Sequence, residues 1–518
     1  MLEAAASGGL ETGNRGEMST MGTNSKFLGV MRSGVGRSFV CLVASVGFAA
    51  SASAADMDLW PVKAPPVMPD LTWKGITLIG AIDISGQYEQ NGAPYAGNVY
   101  TPAGLITPWN RSAQFLFAPN QSLQSYVGVK VEEDLTSNLK FIARLEMGFN
   151  PTSGGIADAL KEMKNQNGIA LNQQVANGDG GRAGQILNGE AYAGFDSKQF
   201  GIVHIGRNSV VSLDMLGAYD PLASYGFSLF GYVGFLAGMG SAETGKIDDS
   251  IKYMNSWGPI RTELFYGRPD TNAKDFYQGT IGFVRPEFSI DFLAGQAHDM
   301  VSATALSGPA FLGSPFLGAR VFDSTIYGAL AKYTFNVGGQ GPINTPESKF
   351  TVSGGYQRLD LSNPADGGWA AGHETIGGYQ IGPALSTNGS IAFGVVNYGY
   401  TGGDRIIDIS FLAGKYQYDS QMAFSLGYYR YDQNSFGLGV NNIAGIVAPS
   451  YSRTACNSST FINCAGTMQS VGFRADYQWN KNLMFYAGMA WSKVGGGFAF
   501  SYLTTSTYDP TVGLRFTF

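Results

Sequence analysis

Beyond residue 55 the 518-residue chain has no apolar run of the roughly 20 residues that a membrane helix needs, so a helical membrane protein is disfavoured. Charge is scarce, at 14% of residues, and the formal net charge is −6 without any Lys/Arg stripe, which argues against a nucleic-acid partner. Histidine is almost absent: His204, His298 and His373 lie far apart, and neither a metal-ligand cluster nor a phosphate-binding loop accompanies them. Cysteine is nearly as rare. Cys41 falls in an N-terminal apolar segment, while Cys456 and Cys464 lie close together and read as a disulfide closing a small loop. A metal site would need more ligands than two thiols.

Glycine and aromatics are what the chain has in quantity, with 72 Gly, 27 Tyr and 33 Phe. That mixture suits aromatic-edged strands joined by glycine-rich turns. The N-terminus reads as an export signal: Arg32 and Arg37 precede the apolar stretch Phe39 to Ala50, and Ser51 to Ala55 supply an A-x-A pattern cut after Ala54 or Ala55. Met18, Met21 or Met31 is the expected true start. Residues 1–55 are thus extension and signal, 56–74 a Pro-rich periplasmic leader, and 75–518 the folded barrel.

From Gly75 onward the dominant period is two. Ile76, Leu78, Gly80, Ile82, Ile84, Gly86 and Tyr88 alternate with Thr77, Asp83, Ser85 and Gln87. Leu139, Phe141, Ala143, Leu145, Met147 and Phe149 alternate with Lys140, Arg144 and Glu146, and Val471, Phe473, Ala475, Tyr477 and Trp479 with Arg474, Asp476 and Gln478. Charges repeated in mid-strand favour a barrel whose apolar face meets lipid and whose charged face lines water. Tight connections (133–138, 196–199, 257–260, 285–287, 418–421, 479–482) mostly alternate with long ones, and the count gives an all-β, antiparallel transmembrane barrel of about sixteen strands. Ile391–Tyr400 would break the parity and is expected as a small hairpin inside a long extracellular loop. The final segment, Thr511–Phe518, alternates perfectly and ends on an aromatic. Such a strand closes the barrel, and Gly513, Phe516 and Phe518 also match the ending read by outer-membrane assembly machinery.

Four segments resemble the Gram-negative general porin family: Gly75–Asp83, Tyr126–Lys140 running on to Asn150, Ala191–Gly194 with Phe200–Arg207, and Gly513–Phe518. The resemblance implies a homotrimer of sixteen-stranded barrels in the cell outer membrane, each narrowed by an inward-folded third loop, here roughly 208–249. It implies acidic constriction residues on that loop, Asp214, Asp220 and Glu243, facing basic wall residues, for which Arg144, Lys252 and Arg261 are the candidates. It departs from the family at Ala81, Tyr126, Gly189 and Met254, where general porins place basic lumen residues; the pore is therefore expected to lean toward cations or neutral solutes. The expected function is passive diffusion of small hydrophilic solutes and ions, with lipid and lipopolysaccharide as surroundings and neither catalysis nor a cofactor. A sugar-selective channel is the alternative, kept open by Tyr225, Phe227, Phe230, Tyr232 and Phe235; a barrel adhesin is a further one.

Overall fold

The computed structural model describes 71–94, 105–107, 109–156, 185–222, 226–229, 245–268, 275–298, 323–341, 344–362, 404–435, 465–499 and 502–518, together with eight short backbone segments between 306 and 447. The export signal, nearly all of the Pro-rich leader, Glu243, Cys456, Cys464, His373 and the aromatics Tyr225, Phe230, Tyr232 and Phe235 lie outside the described residues.

Sixteen antiparallel strands close into a barrel. They are β1 (Ile76–Gly92), β2 (Ser112–Pro119 and Ser125–Thr136), β3 (Leu139–Phe149), β4 (Ala191–Ser197), β5 (Gly201–Ser209), β6 (Lys246–Trp257), β7 (Ile260–Gly267) and β8 (Phe276–Val284). The second half comprises β9 (Phe288–Ala297), β10 (Asp323–Asn336), β11 (Lys349–Ser362), β12 (Arg405–Gln417), β13 (Met422–Gln433), β14 (Gly466–Gln478), β15 (Leu483–Gly496) and β16 (Ser506–Tyr508 and Thr511–Thr517). Two strands are interrupted. In β2 the ladder along β1 breaks at Asn120–Gln124, where Asn120 adopts φ 58°, and in β16 it breaks at Asp509–Pro510. Proline cannot donate to a ladder, which accounts for the second break.

Closure joins the ends of the barrel. Asp83 pairs with Arg515 and Ile84 with Leu514, and beyond the ladder Gly80 and Phe518 exchange two backbone hydrogen bonds of 3.0 Å each. Gly80 has no Cβ for a reason: one built there would fall 2.3 Å from the Phe518 ring. The sheet also starts earlier than the sequence suggests. Thr72–Trp73 turns back on Ile76–Thr77 through Lys74 and Gly75, so the last part of the expected leader belongs to the sheet.

Alternation sorts the side chains as the sequence implies. Ile205, Ile251, Leu264, Ile281, Phe292, Leu412, Leu426 and Val512 are exposed on the outside, whereas their chain neighbours Lys252, Phe265, Thr280, Asp291, Ala413 and Ser425 are buried on the inside. Asp83 and Arg144 both turn inward. At the tight-turn end Trp257, Phe288, Tyr333, Phe335, Trp479 and Phe485 form one aromatic rim; Tyr88, Tyr277, Tyr327, Tyr356, Tyr428 and Tyr508 form the other. These are the two girdles of a membrane-spanning barrel. At the long-loop end, next to Tyr356 and Tyr428, the outer face turns polar, with Arg358 bonded to Asp408 and Arg430 to Asp432, each at 2.7 Å.

The loop boundaries differ from expectation in places. The sequence reads 89–121 as one long loop, but strand β1 runs on to Gly92 and β2 begins at Ser112, because Glu89 is an inward-facing strand residue rather than a loop polar. The connection between β10 and β11 spans 337–348 and was not foreseen. Among the described residues Ile391–Phe393 pairs with Pro383–Leu385, as a small hairpin outside the barrel ladder.

Candidate functional site

The connection after β5 turns into the barrel and begins with helix α1 (Val211–Tyr219). Its first turn is tied to the wall by the backbone N–H of Ser212, which donates to Oε1 of Gln278 at 3.0 Å and satisfies one of the donors that a helix start leaves open. Its last turn meets Lys332, whose Nζ donates to the Ala218 carbonyl at 2.7 Å, a cation at the negative end of the helix. Val211, Met215 and Leu216 join the buried apolar cluster together with Phe265, Leu293, Ile326 and Leu330.

Charged groups of the wall gather under this helix. Lys252 is buried: its ammonium donates to Asp214 and, at 3.1 Å, to the Ser209 carbonyl, and it forms an ion pair with Glu263 at 2.7 Å. Arg261 grips Asp291 through two nitrogens, Nε to Oδ1 at 2.9 Å and Nη2 to Oδ2, and Asp291 accepts the Tyr219 hydroxyl. The guanidinium of Arg261 and the ammonium of Lys332 lie 5.9 and 5.5 Å from the Tyr219 ring centre, within cation–π range. Burial raises the Asp214 carboxyl well above the usual carboxylate range; Lys252 pulls it back and Glu263 adds to the rise. Burial and the bond to Asp291 push the Tyr219 phenol up to about 12.

Three strands along the wall from Lys252, Arg144 holds Glu146 (Nε–Oε1 2.7 Å) and Glu190 (3.4 Å). Next to them Tyr192 and His204 stack with ring centres 3.7 Å apart.

Past α1 the loop continues to the opposite wall. Asp220, expected to face the pore, is buried: it accepts the hydroxyls of Tyr429 (2.7 Å) and Ser228 and the Leu222 N–H (2.9 Å), and burial raises its carboxyl. Gly226 N–H donates to the Gln121 carbonyl at 2.9 Å, in the break of β2. Phe227 packs edge-on to Tyr486 at 6.0 Å and lies 5.9 Å from the Arg474 guanidinium. It needs a smooth wall. A Cβ on Gly472 would fall 2.0 Å from the Phe227 carbonyl oxygen, one on Gly488 would lie 2.7 Å from its ring, and one on Gly427 would lie 2.9 Å from Leu222. Gly472→Val is therefore expected to undock this arm, raising single-channel conductance and current noise. Gly495→Ala, whose nearest neighbour would be 3.9 Å away, is the silent control. Unchanged conductance in Gly472→Val would mean that the arm does not border the pore.

Lys252, Arg261 and Asp214 thus share one cluster, Arg144 stands three strands away from Lys252, and Asp220 serves as an anchor. The acid and base expected to oppose each other across a gap are in contact: Asp214 touches Lys252. The positions where basic residues were expected and missing do face inward, Ala81 paired with Tyr126 and Met254 with Glu263. Sequence reasoning missed Asp291 and Lys332, although both are charged residues on the inward phase of a strand. Tyr429 and the three glycines carry no such signal. Among the described residues no three His, Cys, Asp or Glu side chains are grouped to hold a metal.

The family model for Gram-negative porins matches residues 41–497. No curated protein matches the chain significantly. Among solved structures, the anion-selective porin from Comamonas acidovorans is similar at 15% identity and TM-score 0.50, covering 86% of this chain and 99% of that one. In-vitro folded OmpT of Vibrio cholerae is similar at 13% identity and TM-score 0.47, covering 87% and 100%. With a closed barrel, an aromatic rim at each end and an inward loop already in place, the chain belongs to the Gram-negative porin family and is an outer-membrane channel for passive diffusion.

Proposed function

We propose a homotrimeric, water-filled channel for small hydrophilic solutes and ions that favours cations. One observation carries the preference: around Lys252 the water-facing groups are acids, its own side chain being 5% exposed and those of Asp214 and Glu263 39% and 18%. Arg144 holds Glu146 and Glu190, the latter also beside Lys246. Rings of fixed charge at a constriction select the permeating sign. Arg261, Arg474 and Arg515 are matched one to one with Asp291, Asp476 and Asp83, so they add little to the balance. In this reading the chain arrives through a cleaved export signal, its terminal strand with Gly513, Phe516 and Phe518 is read by the assembly machinery, and lipopolysaccharide surrounds the polar outer rim at Arg358 and Arg430.

Planar-bilayer recording tests the proposal. Stepwise conductance with three-fold substates is expected, with a zero-current potential of cation-selective sign in a KCl gradient. A carboxylate whose pKa is raised gains its proton at higher pH than usual. Asp214 is such a group: burial raises it, Lys252 on β6 opposes the rise and Glu263 on β7 adds to it. The cation preference should therefore fade as pH falls, beginning above the ordinary carboxylate range. An anion-selective potential that persists at neutral pH would end the charge argument.

A further inference from the structure

The seam between the first and last strands holds two acids without a counter-charge. Glu89 lies on β1 and Asp509 in the break of β16; continuing the ladder two residues past its pair Gln87–Thr511 sets one opposite the other. The register holds beyond the break, where the Asn91 N–H donates to Thr507 Oγ1 at 3.3 Å. Glu89 and Asp509 are both fully buried on the inward phase, and each lies within electrostatic reach of the other. Like charges directly opposite in a sheet repel, and burial removes the water that would screen them. Among the described residues neither carboxylate meets a Lys, Arg or His. Glu89 Oε2 accepts Gln114 Nε2 at 2.6 Å, but its buried Oε1 has no hydrogen-bond partner. Asp509 accepts the Ala490 N–H at 2.6 Å and, at a stretched 3.4 Å, the Gln87 amide. The first connection folds over this end of the seam. The Ile106 N–H donates to Ser492 Oγ at 2.8 Å, Asn110 Nδ2 to the Asn91 carbonyl at 2.5 Å, and the Thr504 hydroxyl to the Asn110 carbonyl at 3.1 Å.

We infer that Glu89 and Asp509 hold a calcium ion between β1 and β16, fastening the first connection and the closing strand at the long-loop end of the barrel. A divalent cation supplies the two positive charges that the pair lacks and gives Glu89 Oε1 a partner. The donors that share this inward patch are oxygens: two carboxylates, the Thr507 hydroxyl and the Gln114 side-chain carbonyl, whose amide nitrogen is already spent on Glu89 and the Ala93 carbonyl. An all-oxygen set selects a hard cation. Calcium accepts about six to eight oxygens in irregular geometry, whereas magnesium demands a tight octahedron and keeps most of its waters, which a buried patch of strand side chains does not offer.

Calcium binding and its effect on stability test the site. The full-length protein is refolded from denaturant without lipopolysaccharide, so that no lipid phosphate contributes, and titrated with CaCl2 by isothermal calorimetry. Its urea midpoint in lipid vesicles is then compared in CaCl2, in MgCl2 and in EGTA. One saturable calcium per chain is expected, with a higher midpoint in CaCl2 than in EGTA and a smaller rise in MgCl2. Glu89→Gln removes one of the opposed charges. Its midpoint in EGTA should exceed that of the unaltered protein, because the repulsion is gone, while its calcium binding and its gain from CaCl2 should be lost. A glutamate that serves packing alone gives no such exchange of one stabilisation for the other. Calcium binding retained in Glu89→Gln would assign the ion to another place, and an equal response to magnesium would remove the calcium assignment. No saturable binding, with a midpoint in EGTA that climbs as pH falls, would show that a shared proton balances the pair; no binding and no such climb would leave the acids without a ligand. Each of these results overturns the site. The titration and the pH series on the unaltered protein decide the matter even if the variant does not assemble.

Discussion

Leu412→Arg and Leu426→Arg are expected to lower the stability of the membrane-inserted barrel by about 2–4 kcal/mol each, the cost of a cation on the lipid face near mid-depth. Both leucines are exposed on the outside of β12 and β13, and their next neighbours Ala413 and Ser425 are buried on the inside. In a water-soluble barrel an exposed leucine exchanged for arginine would change little. The size of the penalty therefore reports the surrounding solvent rather than any contact. Urea unfolding in lipid vesicles, followed by tryptophan fluorescence, measures it. Lys140→Ala is the control. Lys140 and Asp134 are 3.6 Å apart with both side chains open, so the loss should stay within about 0.5 kcal/mol. A neutral Leu412→Arg would remove lipid from the outer face.

Lys252→Met should have the second largest effect, and a more local one. It leaves Asp214, Glu263 and the Ser209 carbonyl without the cation that joins them. Stranding a buried charge costs about 3–5 kcal/mol, and the lower end applies here because Asp214 keeps part of its water. The loss falls on the docking of α1 rather than on the barrel ladder, which Lys252 continues to join through its backbone. Unfolding of the barrel should shift little, while proteolysis within 210–245 and open-channel noise should rise. Neutralising the acids as well, with Asp214→Asn and Glu263→Gln, should recover most of the docking, since neutral hydrogen-bonding groups cost less beside a methionine. Normal protease resistance in Lys252→Met would show that α1 is held by its apolar face alone, through Val211, Met215 and Leu216.

Position along the chain accounts for much of what was legible. The side-chain period of a strand is two, so the phase at Ile76 sends Asp83 inward with no further information, and the phase at Leu139 does the same for Arg144. The same reasoning applies to Lys252 and Arg261, and the same inward phase carries Asp291 in β9 and Lys332 in β10. The closing strand was equally plain, because Val512, Leu514, Phe516 and Phe518 share one phase up to the terminal Phe518, which bonds to Gly80.

The path of the third loop was not legible. A loop has no period to set its phase, and its partners come from distant strands: Asp220 meets Tyr429 and Gly226 meets Gln121. Hence Asp220, one of several loop acids in the sequence, is an anchor, while Asp214, six residues earlier, opens onto a cavity. By itself the sequence determined the barrel, its inward and outward faces and the strands that bear charge, because those depend on local alternation between oil and water. Only the tertiary structure decided which charges touch, which acids stay open and where the glycines make room for Phe227, because those depend on chords across the lumen that no local pattern encodes.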